Sequence, residues 1–235
     1  MPVDPVSLDS SFGPEELLNP QSAALFERIS GVIDGQPRES AAAGADLIGR
    51  DGMLEKIAVE LYRVSSMLLG EGEEAIALIE DVVARIDLQD CSSHDEALHL
   101  SRLLLAAEAI SVLRKRDSAN NPRSLAAPAQ ETGPVGCIED DDLSAAGVTP
   151  DELEQMISGP EAHRLRDWLE GLSVSLRVVF VLRAVAGLSS VEVATALAKH
   201  GGSAAQGWTT DAVRSSFRQA LCSLASQLVH ATASR

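Results

Sequence analysis

Apolar residues return every three or four positions through two long parts of this chain, and that spacing restricts it to helices. In the first part Leu54, Ile57, Ala58, Leu61, Val64 and Leu68 fall on one helical stripe, with Glu55, Glu60 and Arg63 on other faces. Gly70 predicts the end of that helix. A second helix is predicted over 73–86, where Ile76, Ile79, Val82, Val83 and Ile86 oppose Glu73, Glu74, Glu80, Asp81 and Arg85. A third, over 94–116, buries Leu98, Leu103, Ala106, Ala107, Ile110 and Leu113. It closes on Arg114, Lys115 and Arg116, cations at the negative pole of the helix dipole. Weaker helical signals cover 22–33 and 39–48. Aromatic residues are only 3% of the chain, so Ala, Leu and Val must do most of the packing, which suits helices better than sheets. The predicted fold class is all-α.

The net charge of −16 argues against a nucleic-acid partner only if it is spread evenly, and it is not. Lys and Arg number three against eight acidic residues in 1–50, seven against thirteen in 51–116, one against nine in 117–160, and eight against five in 161–235. The last block is basic. These shifts divide the chain into an N-terminal extension (1–50, partly disordered), a helical domain (51–116), an acidic flexible linker (117–160) and a second helical domain (161–235). The linker contains the breakers Asn121-Pro122, Ala127-Pro128 and Gly133-Pro134 and the acidic run 139–142, with a short helix over 150–157. Cys91, Cys137 and Cys222 are far apart and odd in number, which favours three reduced thiols over a disulfide framework or a zinc site. No basic-then-apolar leader is present, and the most apolar stretch, 174–187, is interrupted by Arg177 and Arg183. The expectation is a cytoplasmic chain with no membrane partner.

The C-terminal block predicts four helices, over 161–172, 173–185, 189–199 and 210–230. Ser189 with Glu192 forms a capping box that fixes where the third begins, and Gly187 allows a sharp turn before it. Thr209 or Thr210 caps the fourth, and Val213, Phe217 and Leu221 hold it down. Its outward face carries Arg214, Ser215, Arg218 and Gln219, residue types that meet phosphates and base edges in a major groove.

These residues resemble a known family. Leu172-Ser173, the run 177–183 (Arg-Val-Val-Phe-Val-Leu-Arg), Gly187-Leu188-Ser189, Glu192-Val193-Ala194 and Ala212-Val213-Arg214-Ser215 are similar to the fourth conserved region of bacterial extracytoplasmic-function sigma factors. The first block resembles the second region of that family through Leu61-Tyr62, Leu68-Leu69-Gly70, the run 79–85 and the basic close at 110–116. The resemblance implies two small helical domains joined by the acidic linker, binding to core RNA polymerase through Glu80, Asp81 and Arg85, and promoter DNA contacts at Thr210, Arg214, Ser215, Arg218 and Gln219. Arg114, Lys115 and Arg116 would meet phosphates further along the duplex.

Two features set this chain apart. Ala106, Ala107 and Ser111 stand where the family carries base-reading side chains, and the turn over 199–209 is longer, which predicts a looser angle between its helices. They keep open an alternative, a degenerate sigma-factor mimic that binds an anti-sigma factor without initiating transcription. No enzyme is expected. His94, His99, His163, His200 and His230 have no shared ligand spacing, and phosphate loops, nucleophile elbows and paired carboxylates are missing. Catalytic residues, metals and cofactors are therefore all expected to be none.

Overall fold

The computed structural model describes residues 44–86, 93–117, 121, 123–128 and 137–233, with 44–51 and 231–233 described by backbone alone. The helix expected over 22–33, most of the N-terminal extension and Cys91 lie outside the described residues. The fold is all-α, with eight α-helices and no strand among the described residues. In chain order they are α1 (Gly44–Leu69), α2 (Glu73–Arg85), α3 (His94–Asp117), α4 (Pro150–Ser158), α5 (Ala162–Gly171), α6 (Val174–Phe180), α7 (Ser190–His200) and α8 (Thr210–Ala233). Short 3₁₀ turns cover Leu143–Ala146 and Ser203–Ala205, and α6 runs on into a π-helical turn, Val181–Val185.

The apolar stripes read from the sequence face inward. Ile57, Leu61, Ile79, Val82 and Ile110 have no more than trace exposure, and α1, α2 and α3 pack on one another. Their helix ends are chemically marked. Gly70 takes a positive φ of 93° after α1, while Glu73 and Glu74 begin α2 and Arg85 ends it. The second set, α6, α7 and α8, packs around Phe180, Val193, Leu197, Val213 and Phe217.

The two sets are not separate bodies. α3 lies directly against α7, α1 touches the π-helical turn, and buried side chains run without a break from Ile57 and Leu105 to Phe180 and Leu197. Burial of small and branched aliphatics, each contributing on the order of 1.5–3 kcal/mol when fully covered, therefore holds both halves in a single core.

Parts of the stretch expected as a flexible linker are docked on the core. Leu125, Ile138, Ala146, Val148, Leu153 and Ile157 are buried within the same core. Thr149 and Glu152 form a capping box on α4, and Glu154 pairs with Arg63 of α1 at 2.7 Å. Gly147, at φ 73°, closes the Leu143–Ala146 turn and Pro150 starts α4, while these apolar residues dock the described parts of the segment. The expectation of three reduced thiols is corrected: Cys137 and Cys222 form a disulfide, joining the acidic segment to α8 across 85 positions of sequence. Among the described residues, no helix is long and apolar enough to cross a membrane.

Candidate nucleic-acid interface

The arrangement of α6, α7 and α8 is built from local chemistry. Ser173 accepts the Leu176 amide and starts α6. In the π-helical turn the amide of Ala186 reaches back five residues to the Val181 carbonyl, 2.9 Å away. Gly187, at φ 67°, then reverses the chain, a conformation open to glycine at little cost. At Ser189 both halves of the capping box are made: Glu192 accepts the Ser189 amide and hydroxyl at 2.7 Å each, and its own amide bonds to Ser189 Oγ at 3.3 Å. These bonds stabilise the ionised carboxylate and hold its pKa below the usual range, with a smaller contribution from His99. Val193 and Leu197 are fully buried beneath α7.

The lengthened turn between α7 and α8 is braced. Trp208 is 4% exposed and donates its indole N–H to the Leu125 carbonyl at 2.8 Å. Ala205 is buried, and Gly202, at φ 81°, presses against the Arg114 side chain, whose Cδ would sit 3.0 Å from any added Cβ. These tertiary contacts hold the turn in place. Thr209 is the residue that caps α8, accepting the Ala212 amide at 3.1 Å. Phe217 anchors α8 at 6.0 Å from Phe180, which meets Trp168 edge-on at 4.8 Å.

Opposite that anchor, Arg214, Ser215 and Gln219 are exposed, Arg218 is half-buried, and Thr210 borders a groove with Val191, Thr195 and Lys199. The five predicted positions thus lie on the first three turns of one helix. The segment before the Leu143–Ala146 turn lies beside them. Arg218 donates to the Glu139 carbonyl at 3.0 Å, Arg214 Nε is 3.6 Å from an Asp141 oxygen, and Arg183 Nη2 is 3.8 Å from the same atom. Arg183 also stacks over Phe217 at 5.2 Å and donates to the Leu188 carbonyl. Arg183 and Asp141 belong to this site although the sequence reading did not place them there.

The basic cluster at the end of α3 lies against the α7–α8 turn and the end of α1. Arg114 lies along the turn at Gly202, and Arg116 donates to the Leu69 carbonyl at 3.2 Å and sits 3.8 Å from Glu74. Arg116 thus caps the C-terminal end of α1, while Lys115 stays exposed. Burial and the Arg116 charge lower the pKa of Arg177 nearby.

On α2, Arg85 spans Asp81 at 2.9 Å and Glu108 of α3 at 3.0 Å, so it ties two helices together; Asp81 remains 60% exposed beside the half-buried Glu80. Ala106 is fully buried, and the Ser111 hydroxyl turns back to the Ala107 carbonyl. His99, expected as a plain surface residue, meets Glu192 at 2.9 Å and links α3 to the capping box. No family model, curated protein or solved structure matches the chain significantly.

Proposed function

We propose that the chain is a divergent sigma-like transcription factor that docks on core RNA polymerase and directs promoter-specific initiation through the helix-turn-helix formed by α7 and α8. The observation that carries this reading is the outward face of α8. A capped, braced helix presents Arg214, Ser215 and Gln219 to solvent with Thr210 at its first turn, while Val213 and Phe217 hold the opposite face. Such a face suits base-edge and phosphate contacts in a major groove. The exposed acidic surface of α2 around Asp81 supports docking on a basic polymerase surface, where charge complementarity also speeds encounter. No chemical step is assigned to the chain, and no cofactor is needed.

A second reading, a sigma-factor mimic that captures an anti-sigma factor, is favoured by one observation: Ala106 is buried and Ser111 is satisfied by its own helix. Co-purification with core RNA polymerase followed by run-off transcription on genomic fragments separates the two. Transcription supports the first reading, polymerase binding without transcription selects the mimic, and binding to neither polymerase nor an anti-sigma protein removes both.

A further inference from the structure

We propose that residues 137–146 are a thiol-released strap that ties up Arg214 and Arg218 on the DNA-facing side of α8 while Ser215 and Gln219 stay open. The inference rests on the reading of α8 as a recognition helix.

The strap is fastened at both ends. At its start Cys137 is bonded to Cys222 on α8, and Ile138 beside it is buried. At its end Asp142 caps the 3₁₀ turn Leu143–Ala146 by accepting the Ser144 amide at 2.8 Å; that turn packs on α8, with Ala146 buried. Between the fastenings, the Glu139 carbonyl takes the Arg218 guanidinium and the Asp141 carboxylate approaches Arg214 and Arg183. A phosphate backbone would call on the same guanidinium donors, so strap and duplex compete for them. Within the acidic run 139–142, the Asp141 carboxylate stands against Arg214 and Arg183, where a phosphate would come. Its ion pairs are partly exposed and individually weak, so the covalent fastening sets how long the strap stays down.

That fastening is open to exchange because Cys137 is exposed. A thiolate of a dithiol reductant attacks one sulfur of the bond, and the other cysteine leaves as a thiolate. The reductant's second thiol then displaces the first cysteine from the mixed disulfide. Two electrons pass to the protein, two protons end on the Cys137 and Cys222 thiols, and the reductant leaves as its own disulfide. A competitor that holds those guanidinium donors 90–99% of the time raises the apparent Kd about ten- to a hundredfold.

The test uses the full chain in three forms: oxidised, reduced with a dithiol, and Cys137→Ser. Fluorescence anisotropy on a labelled pool of genomic duplex fragments reads DNA binding, and hydrogen exchange reads the amides of 138–146. The expected result is that the reduced and C137S forms bind about tenfold or more tightly than the oxidised form, with Asp141→Asn moving the oxidised protein the same way. Amides of 138–146 exchange faster once the bond is open. Equal affinities in all three forms, with Arg214→Ala weakening every one, overturn the strap and leave the DNA reading standing. If no form binds DNA, the DNA reading fails and the strap's role with it. Unchanged exchange on reduction overturns the strap whatever the DNA result.

Discussion

His99 Nε2 lies 2.9 Å from Glu192 Oε1, so a residue of α3 holds the carboxylate that starts α7. One side chain therefore serves two levels of structure, the local helix start and the junction between the halves of the molecule.

That arrangement fixes a pH dependence. Hydrogen bonds from Ser189 hold the Glu192 pKa down, as Ser144 does for Asp142 and Thr149 for Glu152. A carboxylate whose pKa is lower in the folded state adds stability that is fully present above its unfolded value and lost as pH falls through the folded one. Thermal unfolding followed from pH 7 downward should show Tm falling below the ordinary carboxylate range. Glu192→Gln should lose about 1 kcal/mol near neutrality, a typical capping loss, and show a shallower acid slope. An unchanged slope in E192Q contradicts the assignment.

Trp208 tests the braced turn. Trp208→Phe keeps most of the buried ring but leaves the Leu125 carbonyl without its donor, at a cost of about 1–3 kcal/mol. Trp208→Ala should cost about 3–5 kcal/mol. Urea titration of the two variants checks the order, and the proposed DNA affinity should fall with the brace.

Arginines in two places should behave differently. Arg214→Ala should leave Tm within a degree or two yet cost about 1–3 kcal/mol of binding to DNA, read on the reduced protein. Arg116→Ala should lower stability, because the Leu69 carbonyl loses its donor. A full loss of DNA binding in R116A at unchanged stability would reverse that assignment.

A single core predicts a single transition. Ile110→Ala on α3 should cost about 2–5 kcal/mol and shift the unfolding of α8 by the same amount as that of α1. Site-resolved hydrogen exchange distinguishes this from two independent melts; an α8 insensitive to I110A would show that the halves unfold separately.

The helices were legible because their signals are local. The 73–86 stripe became Glu73–Arg85, the 150–157 helix became Pro150–Ser158, and the Ser189–Glu192 box is made as read. Periodicity says which side of a helix is apolar but not which other side it meets. The contacts α3 with α7, Arg63 with Glu154 and Trp208 with Leu125 therefore escaped it. Over the described parts of 117–160, turn-forming residues hid the few aliphatics that dock on the core. The outward set on α8 was legible as a face, but Asp141 and Arg183, which complete its electrostatics, come from distant sequence. Cys137 and Cys222 carried no spacing signal at all.

Their bond has a topological result. It closes a ring of backbone through which α4, α5, α6 and α7 all pass. A protease that nicks the chain anywhere on that ring produces two fragments still tethered to each other, which run together on a gel until a reductant parts them.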